Sequence, residues 1–442
     1  MLLDASTLRD LEVLSPLTPQ GPTLWSLLDR TRTRAGRKIL RDRLEAPLSS
    51  AEQILDRQIA HREIAADARN ICAAINRADS DRVEDYLHVA WQLPDDMRGP
   101  GPIIGRVWPK WYRDYLKDAR RGRHVVVGCL DAAVELGRRL ASAQARTLRQ
   151  NGVEIEELLA RPEVQELVDL GRKRSTGSIV SFDQIARGRA KALLLELVSN
   201  VGAIEAMWSM AAATAEHGWS YPQPGCRLRV DRLCHPFLDR RGVPNDLQLT
   251  EDTRVCFVTG PNMAGKSTFM KAVATSMILA HAGCGVPATS MTFPVVEAVF
   301  SSLQIIDNMI GNESFYLAEV RRIKALAGFL HDGAATLAVV DEPFRGTNVH
   351  DAAEATLAVI TRLAGHPRAL VFVASHIAEI APSMAKDPRI RLLHFAADTT
   401  AGQPTFDYLL RDGISTQRLG MTLLKQEQVL DLLEDPGVRL SR

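Results

Sequence analysis

Aromatic residues are scarce in this chain. Trp, Tyr and Phe make up 5% of 442 residues, and the first phenylalanine is Phe182. A composition led by Leu and Ala leans helical. Cysteine is equally sparse. Cys72, Cys129, Cys226, Cys234, Cys256 and Cys284 include no C-x-x-C pair. That argues against a disulfide framework or a zinc site and for small buried hydrophobes in a reducing compartment. Neither sign of charge dominates, with 54 basic and 53 acidic residues. No long apolar run stands out either. The stretch 269–288 is interrupted by Lys271, His281, Gly283, Gly285 and Pro287, too polar to span a bilayer. The chain opens without the pattern of a secretory leader. A cytoplasmic protein with no membrane partner is the expectation. Repeats and low-complexity tracts are missing, and 46% apolar residues exclude disorder as the main state.

The neutral total hides a local imbalance. Residues 106–149 hold 11 basic and four acidic side chains. Such a segment faces nucleic acid or forms a solvated helix face, and both readings stay open. Arg120, Arg121 and Arg123 are its DNA-contact candidates.

Two textures divide the chain. Residues 22–220 are almost wholly helix-like, with Leu24, Leu27, Leu28, Ile39, Leu40 and Leu44 at helical spacing. Runs 125–150, 154–171 and 183–217 continue the pattern. After the Gly/Pro cluster at 218–225, short β-branched runs alternate with helical ones. Val255–Thr259, Thr336–Val340 and Ala369–Ala374 fit strands buried on both faces of a mainly parallel sheet. Segments 390–396 and 406–411 suggest a hairpin of edge strands. The expected organisation is a multidomain α/β protein: an N-terminal extension (1–21), an all-α domain (22–220) and an α/β domain (226–442).

Three motifs carry chemistry. Gly260-Pro-Asn-Met-Ala-Gly265-Lys266-Ser267-Thr268 matches G-x-x-x-x-G-K-[ST] between a strand-like and a helix-like run. Its glycines let the loop wrap an anion, Lys266 neutralises phosphate oxygens, and the Ser267 hydroxyl ligates Mg²⁺. Pro261, Asn262, Met263 and Ala264 complete the loop. Next, Thr336-Leu-Ala-Val-Val-Asp341-Glu342 ends a buried strand in two carboxylates. Asp341 suits the Mg²⁺ shell and Glu342 the polarising of an attacking water. Finally Val371-Phe-Val-Ala-Ser375-His376 places His376 at the active edge of an open sheet, within reach of a γ-phosphate. This order of elements is that of ABC-type P-loop ATPases, with ATP and Mg²⁺ as cofactors.

In detail the residues resemble the MutS family of mismatch-repair ATPases. TGPNMAGKST resembles TGPNMGGKST, with Ala264 in place of a glycine. DEPFRGTNVHD resembles DExGRGTSTxDG, with Phe344 in place of a glycine, and ASHIAEI resembles ATHxxEL. GCGVPA, HPFL, VPNDLQL and GISTQRLGMTLL also have family counterparts. FSSLQIIDNMIGNESFYLAE (Phe300–Glu319) is similar to FTRIGAxDDLxxGxSTFMxE, with Asn312 in place of a glycine. The alignment puts Ser314 at the serine that reaches the partner subunit's γ-phosphate and matches Glu319 to the later acid. Leu24–Leu48 resembles the helix opening the family's core domain.

The resemblance covers about 22–60 and 235–425. It implies core and lever helices fused to a dimerising ATPase, an ATP-driven homodimeric switch acting on DNA in repair or recombination. The core helix begins near residue 22, so a mismatch-reading domain with an aromatic wedge is not expected. A reduced or missing clamp is expected, and no nuclease domain at the C-terminal end. The alternative keeps the ATPase and has it act on RNA or a protein partner.

Overall fold

The computed structural model describes residues 1–89, 91, 110–238, 241–303, 315–398 and 404–415, with positions 417, 421, 424, 428, 429 and 433. From the N-terminus come β1 (Leu2–Leu3), α1 (Ala5–Asp10), α2 (Leu24–Leu28), α3 (Arg34–Glu45), α4 (Ala51–Ala66), α5 (Ala68–Ala78) and α6 (Ser80–His88). They are followed by α7 (Lys110–Leu140), α8 (Arg146–Leu159), α9 (Pro162–Gly171), α10 (Thr176–Arg187) and α11 (Lys191–Glu216). The strand-rich part opens with β2 (Gln223–Pro224), β3 (Arg229–Leu233), β4 (Asn245–Gln248), β5 (Val255–Thr259), α12 (Lys266–His281), β6 (Ser290–Phe293) and β7 (Ala298–Ser302). It continues through α13 (Phe315–His331), β8 (Thr336–Asp341), α14 (Val349–Ala364), β9 (Ala369–Ala374), α15 (Ala381–Met384), β10 (Ile390–His394), β11 (Ala397–Asp398), β12 (Thr405–Phe406) and β13 (Arg411–Asp412).

Two compact units result. One comprises Trp25–Arg43 and Glu52–Glu216; the other comprises Met1–Leu24, Leu44–Ala51 and His217–Arg442. The cut differs from the expected one, because residues 1–21 are not an extension. Leu2 and Leu3 pair in parallel with Ala298 and Val299 at the edge of the main sheet.

The helical unit is built on the 31-residue α7, which buries Tyr115, Ala119, Val126, Cys129, Ala133 and Leu136 on one face. Gly122 is the point of closest approach, where a Cβ would fall 1.9 Å from the Tyr86 ring. The run expected at 154–171 is two helices, because Pro162 starts a new one after the turn at Ala160–Arg161. α11 is long and apolar enough by length and composition to cross a membrane, and 61% of its most apolar window is buried inside the protein. Its Glu205, 1% exposed, accepts the Arg32 N–H at 2.7 Å and the Thr33 hydroxyl. A Cβ on Gly36 would meet that carboxylate at 2.2 Å. The Thr-x-x-Gly spacing at the start of α3 is therefore a packing requirement.

The other unit holds a seven-stranded sheet in the order β1-β7-β8-β9-β5-β10-β13. It is parallel except for β13, which runs antiparallel to β10. β5 and β7 are buried along their whole length. Ile390–His394, expected as one arm of a hairpin with 406–411, pairs antiparallel with β13 at Leu393↔Asp412 and His394↔Arg411, and on its other side it is a parallel partner of β5. The hairpin nearby pairs Ala397–Asp398 with Thr405–Phe406. A four-stranded sheet, β2-β6-β3-β4, completes the unit.

Candidate functional site

The central strand β5 ends at Thr259, and the chain turns through Gly260–Gly265 into α12. Gly260 has φ +140°, and a Cβ there would lie 2.6 Å from the Phe395 carbonyl oxygen. Gly265, at φ +108°, caps α12 without offering it a side-chain acceptor. The first N–H groups of α12 are thus left for a ligand, at the end of the helix dipole that favours anions. Lys266 is 5% exposed. Its ammonium donates to the carbonyls of Gly260 (2.8 Å) and Pro261 (3.0 Å). Burial lowers the Lys266 pKa, against the pull of Asp341 and Glu342. Met263 stands at the loop tip, 76% exposed, with φ +68°.

The register β8↔β9↔β5 brings the other two motifs to the same sheet edge. Ser267 Oγ donates to Asp341 Oδ2 at 2.5 Å. Burial raises the Asp341 pKa, and the Ser267 hydrogen bond opposes this. Glu342 follows in a left-handed conformation, φ +48°, held by its N–H on the Ala374 carbonyl at 2.9 Å. Its carboxylate lies 3.6 Å from His376 Nδ1 and 3.7 Å from Arg345 Nη1. His376 is 59% exposed, so its ring is open to a ligand or a partner. Phe344 takes φ +66° and is buried at 4%. That conformation is the one a glycine enters freely, which explains the family glycine at this place; here ring burial against Tyr316, with centroids 6.0 Å apart, offsets the strain.

A cavity of about 680 Å³ opens beside the loop, lined by Lys266, Ser267, Thr268, Asp341 and Glu342, and on its other side by His235, Arg241, Asn245 and Tyr408. Sequence reasoning missed this second wall. Asn245 builds it by accepting the Leu410 N–H (2.6 Å) and donating to the Tyr408 carbonyl (3.0 Å). Burial pushes His235 down to about 4, so it faces the cavity as a neutral ring. The signal available was the HPFL and VPNDLQL resemblance, which marks the segments without their place. Ser314 lies outside the described residues.

Among the described residues no cluster of three or more His, Cys, Asp or Glu side chains could hold a metal alone. The hydroxyl of Ser267 and the carboxylate of Asp341 are hard oxygen donors that fit Mg²⁺.

In the helical unit, Arg120 and Arg121 are exposed on α7. Arg123 is partly buried and donates to the Lys173 carbonyl at 2.5 Å. That contact sets exposed Arg172, Lys173 and Arg174 beside the same stretch, an addition that sequence spacing did not reveal. Arg139, by contrast, is neutralised by Asp67 and Glu135.

This geometry defines a protein with a G-x-x-x-x-G-K-S loop and a carboxylate pair at the carboxyl edge of a parallel sheet. Two family models match the chain, and the first ends where the strand-rich unit resumes, at His217. MutS domain III matches residues 6–217 and MutS domain V matches residues 256–431. The chain belongs to the MutS family. It is 31% identical over 239 residues to DNA mismatch repair protein MutS 2 of Halobacterium salinarum, covering 53% of this chain and 28% of that protein. Against DNA mismatch repair protein MutS of a Geobacillus sp. it is 25% identical over 256 residues, 56% of this chain and 29% of the relative. The chain thus aligns with less than a third of these relatives' length.

Proposed function

We propose that this chain is a Mg²⁺-dependent ATPase working as an ATP-driven dimeric switch on DNA. The observation that carries the reading is the meeting of Ser267 and Asp341 at 2.5 Å beside the buried ammonium of Lys266. Lys266 exchanges its two carbonyl partners for phosphate oxygens as nucleotide enters. The uncapped start of α12 donates to the same anion. Ser267 and Asp341 would hold Mg²⁺, which would supply positive charge to offset the charge of the phosphates. Glu342 accepts the proton of the attacking water. His376 orients Glu342 from one side and Arg345 from the other. The expected test is phosphate release that requires Mg²⁺, with nucleotide affinity reduced about tenfold or more in Lys266→Ala, the scale of a lost charge-assisted hydrogen bond.

Two ATPase domains close on each other in this reading, with Ser314 acting in trans as the family resemblance implies. Mixing Lys266→Ala with Ser314→Ala subunits leaves one undamaged site per heterodimer, so activity returns. No recovery in mixed dimers of verified composition contradicts trans action.

For DNA, the exposed cations Arg120, Arg121, Arg172, Lys173 and Arg174 support contact through phosphates rather than base edges. Mismatch repair is the process named for the relatives; a role in repair or recombination, without wedge-type mismatch reading, is the proposal for this chain. A panel of junction, mismatched and plain duplexes tests it. Failure to bind any of them in low salt assigns the switch to RNA or a protein partner instead.

A further inference from the structure

The helix after the trans-acting serine position, α13, carries a carboxylate that the reaction as described does not use. Glu319 is 2% exposed. Its two oxygens accept the N–H groups of Arg345 and Gly346, each at 3.1 Å. Those residues belong to the turn that follows Glu342. The turn is unusual, since Glu342 (φ +48°) and Phe344 (φ +66°) both sit in the left-handed region. Such a backbone persists only when its surroundings over-determine it. Glu319 supplies that constraint with a fork of two charge-assisted bonds. Gly346 allows the approach, because a Cβ there would fall 2.8 Å from the Tyr316 backbone nitrogen. Arg345, whose guanidinium reaches Glu342, also lies 5.6 Å over the Phe315 ring of the same helix.

One turn further on, Arg322 also anchors α13. It pairs with Asp4 through both terminal nitrogens, at 2.5 and 3.0 Å, and donates through Nε to the Ser301 carbonyl at 3.0 Å. It stacks on the Phe300 ring at 3.9 Å. Asp4 in turn caps α1 by accepting the Thr7 N–H. The N-terminal segment, the edge of the sheet, α13 and the turn after Glu342 are therefore joined through two residues three positions apart.

We propose that Glu319 is a positioning residue for hydrolysis, holding the turn that aims Glu342, and that the Asp4–Arg322 pair fixes the helix from which it works. This rests on Glu342 being the base in the proposed ATPase. Glu319→Gln replaces one acceptor by a donor facing an N–H, so the turn is released while the nucleotide loop is untouched.

The test measures kcat and ATP affinity separately in the full chain. Glu319→Gln is expected to lower kcat about tenfold or more, since small misplacements of a reacting group carry losses of that order, with affinity within about twofold of wild type. In an E342Q background it is expected to add no further loss, because it acts through the missing base. A purely structural role would instead lower affinity and kcat together. Should Glu319→Gln fail to fold, Arg322→Lys, which keeps the charge opposite Asp4 and loses the fork, takes its place with the same signature expected. A wild-type kcat in the folded variant, while E342Q is inactive, overturns the proposal. An active E342Q, or a wild-type chain without ATPase activity, overturns the underlying assignment of Glu342 instead.

Discussion

Ser267 Oγ donates to Asp341 Oδ2 at 2.5 Å, although 74 positions separate them in the chain. The bond joins the start of the helix after the glycine loop to the tip of a neighbouring strand. Both oxygens are hard donors, and the bond keeps them adjacent.

Ser267→Ala removes one of these donors and leaves the half-buried Asp341 without its hydrogen bond. The half-maximal Mg²⁺ concentration for ATP hydrolysis is expected to rise about tenfold, equivalent to the ~1.4 kcal/mol of one interaction with a charged group. Nucleotide binding without Mg²⁺ is expected to change little. Titrating Mg²⁺ against phosphate release checks this; an unchanged Mg²⁺ requirement contradicts it.

His281 predicts how stability varies with pH. Its Nδ1 lies 2.7 Å from the Leu48 carbonyl, and its Nε2 accepts the Val296 N–H at 3.3 Å. That arrangement needs the neutral ring, and burial lowers the pKa from 6.5 to about 4. A histidine lowered in the folded state contributes stability above its unfolded pKa and loses it as pH falls toward the folded value. Between pH 7 and pH 5 the loss is about 2 kcal/mol. His281→Gln, which keeps a donor for Leu48 and no longer titrates, is expected to flatten the pH dependence of urea unfolding by about that amount. An equally steep dependence in the variant removes His281 as its source.

How much of this was legible beforehand follows from what each element needs. β5, β8 and β9 are continuous apolar runs because both faces are buried, so the strands and the residues at their ends, Lys266, Asp341 and His376, could be placed from sequence. Leu2–Leu3 could not. Two residues carry no periodicity, and their strand exists only because β7 offers an open edge. Asn245 and Tyr408 were missed as cavity wall because 163 positions separate the residues their hydrogen bond joins. Glu319 was visible as a motif match, yet its partners are backbone N–H groups, which leave no trace in the sequence. The pairing expected between 390–396 and 406–411 survives only at its end, where Leu393 and His394 pair antiparallel with Asp412 and Arg411; nothing in the residue pattern of Ile390–His394 marks its second, parallel partner β5.

The cationic surface gives a third expectation. Arg120→Ala combined with Arg121→Ala is expected to weaken DNA binding by a similar factor for matched and mismatched duplexes. The slope of log affinity against log salt is expected to fall by roughly 2, about one per lost phosphate contact. Arg123 is left in place, because its bond to Lys173 holds two chain segments together. Filter binding or anisotropy across a salt series checks it. A loss confined to one sequence, or none, excludes these arginines as phosphate contacts.

The most direct test of the proposed ATPase activity is single-turnover hydrolysis by Glu342→Gln beside wild type, with nucleotide affinity measured on the same preparations. The substitution keeps the shape of the side chain and removes the proton acceptor. The account predicts ATP bound at near wild-type affinity and a hydrolysis rate reduced at least about a hundredfold, the lower range for loss of a general base. Hydrolysis at the wild-type rate by Glu342→Gln contradicts it.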